Sequence, residues 1–436
     1  LHTNHPGIDI HNHYNGVLTP SELLDVTGYK EDYVRVLGKF WVNFKDDSLK
    51  GDLLRNLLTA EQITTGDNDS LPSIDVETAQ NIVINLLSAR NGTDYNLVYS
   101  FRRYLQQGVN QKQFLRAVIK NLKRQNINYA ELQGSLARSI SFDDFRQMLY
   151  SETRLDIRFL TLVNTKRLVA EPSNPEKLLI LDDIKALSTV GQRWTVGLDI
   201  AGPESKMFTH IGMERFQLIY EQIKLYAQQK NATFVIRVHV GEGYFKKGES
   251  QEDNRFGRLI AQSNVSLIIE TLKTLRLSDQ VIIRLGHVTH ATPSQLSELQ
   301  KLGIIIEANL TSNLVTGSAA TSAIREQVLL KFLLINLKTI INTDAGGVMG
   351  TTIVREYRIA QQIINKFKKN QVEITIGSKK YFYTQLPDTM DRIDGYDYEL
   401  LPPDKKDNFD MENLIKEAEE YRTNVVPRLG GQPKSS

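Results

Sequence analysis

Ile8-Asp9-Ile10-His11-Asn12-His13, Phe234-Val235-Ile236-Arg237-Val238-His239-Val240-Gly241 and Val281-Ile282-Ile283-Arg284-Leu285-Gly286-His287 share one pattern: a short β-branched run with a histidine at or near its end. Such runs are too short for typical helices, and each reads as a buried parallel strand. Residues 129–135, 157–163, 195–202, 304–310 and 339–344 have the same character. Between most of them lie segments with helical spacing, such as 213–229, 265–275 and 293–302. The last opens with Thr292-Pro293, a cap followed by proline at the first turn. Eight strands alternating with helices predict an α/β fold, a parallel (β/α)8 barrel of the TIM type. A doubly wound open sheet is the alternative, but no Gly-rich phosphate loop follows the first strand.

On this reading residues 1–357 form the barrel, and about 20–120 form a helical insertion over its mouth. Residues 358–436 form a C-terminal extension. It is expected to contain the end of a helix over 351–368 and a hairpin of 372–376 with 380–384 around Gly377-Ser378. An irregular acidic stretch over 387–410, a helix over 411–423 and a mobile tail from Gly430 complete it. Tyr381, Phe382 and Tyr383 on the hairpin suit either a homo-oligomer interface or packing within the chain.

Composition narrows the chemistry. The 436 residues are 41% hydrophobic and 24% charged, ordinary for a globular chain, and the net charge of +2 points to no direct nucleic-acid partner. No apolar run is long enough for a membrane span and no signal peptide is evident, so a cytoplasmic location is expected. The chain opens on Leu1 close to its first strand, which predicts a piece of a longer protein or a trimmed chain. The absence of cysteine excludes disulfide scaffolds, thiolate metal sites and the Cys-x-x-Cys zinc deaminases. Any metal must be held by His and carboxylate, and the chain has eight histidines.

Their placement carries the functional reading. His11 and His13 close the first strand, His239 the fifth and His287 the sixth, and Asp344 closes the eighth. A barrel brings all these C-terminal ends to one face, where active sites form. His11, His13, His239 and Asp344 make a ligand set for Zn2+ that leaves a position open for water. Each feature has a plainer reading: a lone His-x-His is more often structural, a lone Asp after a strand is usually a helix cap, and Glu242 could simply start a helix. His210 and His290 read as structural, and His2 and His5 as incidental. The joint occurrence at four strand ends favours the metal.

The motifs His11-Asn12-His13-Tyr14-Asn15-Gly16, Asp199-Ile200-Ala201-Gly202-Pro203-Glu204 and His239-Val240-Gly241-Glu242 closely resemble those of the adenosine deaminase family. So do Gly286-His287-Val288-Thr289-His290-Ala291, Thr311-Ser312-Asn313-Leu314-Val315-Thr316-Gly317 and Asn342-Thr343-Asp344, in order over roughly 8–357. The resemblance implies a zinc-dependent hydrolytic deaminase with His11, His13, His239 and Asp344 as metal ligands. It implies Glu242 as the acid that protonates the purine ring nitrogen and His287 as the residue that orients the attacking hydroxide. Asp344 would share the proton transfer to departing ammonia, and Gly202 would meet the purine through its backbone. Burial keeps a carboxyl such as Glu242 protonated enough to donate.

Two positions depart from the family. Ala345 stands where the family carries a second Asp that hydrogen-bonds the purine, which leaves natural divergence, a low-activity variant or a catalytically silent relative that binds a nucleoside, a nucleotide or a partner protein. Asn15 stands where nucleoside deaminases carry an Asp that meets the ribose 5′ hydroxyl. Asparagine removes the repulsion of a 5′-phosphate, and Lys246 and Lys247, with Arg255 beyond, follow the fifth strand. The expected substrate is therefore adenosine or an adenine nucleotide, AMP or ATP. Phosphate tolerance and the abrupt start also resemble deaminase domains attached to nucleotide sensors in CRISPR-associated and other antiviral defence systems, which implies a missing N-terminal sensor domain. Against an amidohydrolase for another substrate, no Lys follows a strand where a carbamylated bridge between two metals would be expected.

Overall fold

The computed structural model describes residues 5–29, 32–43, 74–89, 95–134, 140–150, 155–186, 194–243, 251–319, 321–376, 379–386 and 408–430. Eight parallel strands follow one another around a single sheet: β1 (Ile8–His13), β2 (Tyr129–Gln133), β3 (Asp156–Asn164), β4 (Thr195–Ala201), β5 (Phe234–Val240), β6 (Val281–His287), β7 (Ile305–Ala308) and β8 (Thr339–Ile341). An Asn12–Asp344 bridge joins the last edge to the first, with His13 N–H donating to Asp344 O at 2.7 Å and Asp344 N–H to His11 O at 2.8 Å. The fold is a (β/α)8 barrel of the TIM type. Most helices alternate with the strands, and their apolar faces pack on the sheet's outer side as the parallel topology demands.

A register irregularity between Asp9 and Asn12 matters for everything that follows. In a regular strand Ile8 and Ile10 would face opposite to His11 and His13. Here Ile8 pairs with Tyr129 and His13 with Gln133, so one extra residue is absorbed between them. Ile8 and Ile10 join the apolar cluster at the base of the barrel, while both histidines turn inward at the top. Bulges that re-aim side chains near sites are a known device of strands.

The insertion between β1 and β2 is helical where it is described: Pro20–Thr27, Tyr33–Asn43, Val76–Leu87, Tyr95–Gln106 and Gln111–Arg124. The predicted helix over 265–275 extends back to Gln251; the apolar Leu259 and Ile260 are exposed on the added stretch, which breaks the period read from the sequence. Asp344 lies three residues beyond β8 rather than at its end. The hairpin forms as β9 (Ile374–Ile376) and β10 (Lys379–Tyr381), and the aromatic rings beside it pack within the chain: Tyr383 lies 5.6 Å from Phe367 and 6.1 Å from Phe409. Its turn, most of the 387–410 stretch and residues 431–436 fall outside the described residues. The last helix, Met411–Glu420, continues as a π-turn over Tyr421–Val425. Among the described residues no helix is long and apolar enough to cross a membrane.

Candidate active site

Strand alternation fills the barrel interior with charge. Glu131, Asp199, Arg237, Arg284 and Glu307 are all fully buried, and they pair with one another: Arg237 donates to Asp199 at 2.6 Å, and Arg284 pairs with Glu131 at 2.7 Å and Glu307 at 2.6 Å. Unpaired charges there would be prohibitively costly. This layer forms the floor beneath the histidines.

Above it, ligand atoms from His11, His13, His239 and Asp344 all lie within 4.8 Å of one another. Each imidazole has a partner on Nδ1. His11 Nδ1 bonds Glu307 at 2.6 Å, His239 Nδ1 faces Asp199 at 3.2 Å and the Ile200 carbonyl at 3.3 Å, and His13 Nδ1 meets the Tyr99 hydroxyl at 3.4 Å. A carboxylate on Nδ1 fixes the tautomer that leaves Nε2 as a lone pair, and it raises the basicity of that nitrogen. His11 Nε2 is buried without a hydrogen bond, 3.4 Å from Asp344 Oδ1. Asp344 Oδ1 also stands 2.9 Å from His13 Nε2, and its other oxygen accepts from Ser312 at 2.5 Å. Three imidazole nitrogens, one of them the orphaned and buried His11 Nε2, and one carboxylate oxygen fit a divalent metal ion.

Gly286 makes room for this cluster. A Cβ at that position would come within 2.8 Å of the His11 ring, so a side chain on this turn of β6 would push the ligand away. One residue later, His287 turns into the site with φ +70°, followed by Val288 at +48°. Left-handed backbone at a β-branched residue is strained, and strain of this kind collects at functional sites. Asn313 holds His287 Nδ1 at 2.8 Å, which leaves Nε2 facing Glu242 at 3.8 Å.

Glu242 is aimed by a neighbour. The Glu204 carboxylate accepts the backbone N–H groups of Gly241 (3.1 Å), Glu242 (2.7 Å) and Gly243 (3.2 Å), and the Asn264 amide at 2.8 Å. Burial raises the Glu242 pKa, and the charge of Asp344 adds to the rise. Burial alone would lower His287, but Glu242, Asp344 and Asn313 outweigh it and its pKa rises. Burial likewise opposes ionisation of Asp344, yet His13 and His11 hold it well below the carboxylate range. His239 moves down, chiefly by burial.

A cavity of about 550 Å³ opens over these groups, lined by His13, His239, Glu242, His287 and Asp344 on one side and by Gly202, Ile260 and Ala261 on another. That volume suits a small organic ligand.

No protein-family model matches the chain. It is similar to an adenosine deaminase-like protein of Drosophila melanogaster, 27% identical over 116 residues, which is 26% of this chain and 34% of that relative. The counterpart in Drosophila pseudoobscura pseudoobscura is 26% identical over 100 residues, 23% of this chain and 29% of the relative. The chain thus spans about a third of the length of the curated relatives it matches. Among solved structures, the adenine deaminase of Arthrobacter aurescens aligns over 96% of this chain and 100% of that one, at 12% identity and a TM-score of 0.51. That likeness is one of fold.

The structure brings together His11, His13, His239, Asp344, Glu242, His287 and Gly202. It does not bring Asn15 or Ala345 into the cavity wall. Asn15 is exposed just past β1, with its carbonyl accepting from Gln106 at 3.0 Å. Ala345 is fully buried in a small apolar cluster with Val98, Val315, Val348 and Met349. Lys246 and Lys247 lie outside the described residues, and the Arg255 side chain is likewise undescribed. His290 is buried, and Gly7 N–H donates to His5 at 3.2 Å. Sequence reasoning gave no role to Asp199, Glu204, Glu307, Ser312 or Asn313. Four of these five lie inside the quoted motifs, which was the available signal; Glu307 is a lone charge within the largely apolar run 304–310.

Proposed function

We propose that this protein is a zinc-dependent hydrolase that replaces the 6-amino group of an adenine nucleoside or nucleotide with oxygen, consuming water and releasing ammonia. The observation that carries the reading is the shared cavity in which the His11, His13, His239 and Asp344 cluster faces the Glu242–His287 pair. The resemblance to adenosine deaminase-like proteins supports the same chemistry. His11, His13, His239 and Asp344 would hold the metal. Their three nitrogens and one carboxylate oxygen suit zinc in preference to the oxygen-seeking magnesium or calcium. When bound, zinc lowers the pKa of a coordinated water to about 7 and so provides a nucleophile at neutral pH.

The chain's own residues supply the rest. Glu242, whose pKa burial raises, would give its carboxyl proton to the purine ring nitrogen as charge moves onto the ring. His287, fixed by Asn313, would stand beside the carbon under attack and steady the developing negative charge. Asp344, held through Oδ2 by the Ser312 hydroxyl, would share in moving a proton from water to the leaving amine. Gly202, at φ +127° with Thr165 and Asn164 behind it, offers bare backbone to a flat ring. Ile260 and Ala261 add apolar surface to the lining.

The described lining residues, His13, Glu242, His287 and Asp344 among them, accommodate an uncharged nucleoside. The phosphate expectation built on Asn15, Lys246 and Lys247 is the competing arm, and ATP turnover is also what a role in antiviral defence requires. Zinc-loaded protein incubated with adenosine, AMP and ATP, with ammonia release followed, tests the reading. Adenosine turnover above the nucleotides supports the assignment, and turnover confined to ATP reverses the substrate choice. A zinc-filled protein that turns over none of the three is a silent relative, and the enzyme reading falls.

A further inference from the structure

We infer that Tyr421, at the base of the barrel, is a positioning residue for the metal ligand His11, acting through Arg284 and Glu307; the inference rests on the metal-centre reading above. After the helix Met411–Glu420 the chain tightens into the π-turn and crosses the N-terminal ends of the strands. Leu429 bridges to Thr233 just ahead of β5, with Thr233 N–H donating to Arg428 O and Gly430 N–H to Thr233 O, each at 3.0 Å. Ala418, Tyr421, Val425 and Leu429 pack there against Ile8, Tyr129, Val196 and Ile340. This segment closes the floor of the barrel.

Apolar side chains alone would serve as a stopper. Tyr421 instead puts a hydroxyl into the dry interior, where it donates to Glu131 at 2.7 Å and accepts from Arg284 at 2.6 Å, with the guanidinium also 5.3 Å above its ring. Arg284 has a second arm. Its Nε lies 2.6 Å from Glu307 Oε1, and Glu307 Oε2 is bonded to His11 Nδ1 at 2.6 Å. A continuous path of four side chains, Tyr421, Arg284, Glu307 and His11, therefore runs from floor to metal cluster, and all but Tyr421, itself buried, are completely inaccessible to solvent.

The path has direction. Arg284 is shared between Glu131 on the floor side and Glu307 on the metal side. Tyr421 satisfies one oxygen of Glu131 and one arm of Arg284, which fixes the guanidinium between the two acids. Without the hydroxyl, Arg284 Nη1 loses its acceptor in the dry interior and Glu131 Oε1 keeps only the Tyr129 hydroxyl at 2.8 Å, so the guanidinium shifts toward Glu131 Oε2, already 2.7 Å from its Nη2. Glu307 then loses its closest cation, since Arg237 stands 4.0 Å away, and the bond that fixes the His11 ring slackens. Losing the support behind a metal-bound histidine typically lowers metal affinity by about 10–100-fold.

The test uses the full chain stripped of metal and titrated with zinc against a chromogenic chelator. Tyr421→Phe is expected to bind zinc about tenfold more weakly or worse, with an unchanged circular dichroism spectrum. Val425→Ala trims the same segment without touching the path and is expected to lower thermal stability while leaving zinc affinity as in the parent. Equal zinc affinity in Tyr421→Phe and the parent overturns the inference, as does an equal loss in Val425→Ala, which would mark a purely structural effect. Should Tyr421→Phe fail to fold, Arg284→Lys breaks the path one step closer to the metal, and parental affinity in that variant is equally fatal. If the parent itself takes up no zinc, the metal-centre reading falls and this inference falls with it.

Discussion

Glu242 and Ala345 sit at opposite extremes of what a single residue can do near this cavity. Glu242 faces His287 across 3.8 Å and lines the space a substrate would fill, while Ala345 is buried in an apolar cluster and is not among the described residues that line it. Glu242→Gln keeps the shape and removes the titratable proton, so ammonia release should fall about 10²–10⁴-fold with zinc affinity unchanged. A loss of zinc along with activity would instead make Glu242 part of the metal shell. For Ala345 the sequence comparison and the packing point in different directions. Its family resemblance suggests that Ala345→Asp could restore a purine contact. Its surroundings are Val98, Val315, Val348 and Met349, and a Cβ on Gly16 would already come within 2.6 Å of its own Cβ. A carboxylate placed there is buried without a partner, so Ala345→Asp should destabilise the fold by about 1–3 kcal/mol and raise no activity. Chemical denaturation beside the ammonia assay decides it; a stable and faster variant would show that this side chain reaches the substrate.

Elements are where the sequence was easiest and hardest to read. The helix Pro20–Thr27 carries its own start signal: Thr19 caps it and Glu22 reaches back to Thr19 N–H at 2.9 Å. Glu22 also accepts from Asn121 at 2.8 Å and pairs with Arg124, which ties this helix to Gln111–Arg124. Burial works against its charge, but these bonds prevail and its pKa is lowered from 4.5. Its contribution is therefore complete above the ordinary glutamate pKa and fades as pH falls through the folded value. Glu22→Gln should cost about 1 kcal/mol near neutral pH, and the gap to the parent should close in thermal melts at strongly acidic pH. A gap that persists there would mean packing, not charge, holds the two helices. All eight barrel strands and the convergence of His11, His13, His239 and Asp344 were legible, because β-branched runs and strand-end histidines are local signals. The irregularity after Asp9 was not, since a bulge adds one residue without changing composition. Nor were the left-handed turns at His287 and Asp344, which the surrounding structure imposes. The pairing of Arg237, Arg284, Glu131 and Glu307 was hidden for a third reason: each charge looks isolated in its own strand, and its partner lies on another.

Across the whole molecule those charges do not cancel. Inside the barrel Glu131, Asp199 and Glu307 stand against Arg237 and Arg284, which leaves one carboxylate in excess, and Asp344 above them is held ionised as well. The metal-free barrel therefore concentrates negative charge beneath three imidazoles, and a divalent cation at its mouth relieves it. Anything that binds the folded state alone stabilises it by mass action, by about 2.7 kcal/mol when free metal is a hundred times its Kd. Stripping the protein with a chelator should thus lower its Tm by several degrees and stop ammonia release together. Added zinc should restore both, and magnesium neither, because imidazole nitrogen is a poor donor to that ion. The coupling also has a sign with pH: protons compete with metal for the imidazole lone pairs, so the zinc-dependent rise in Tm should shrink as pH falls below the histidine range. Calorimetric scans with and without zinc across that range measure it directly. A Tm that ignores zinc at every pH would mean that the histidine cluster is held by the charged floor alone and gains nothing from a metal.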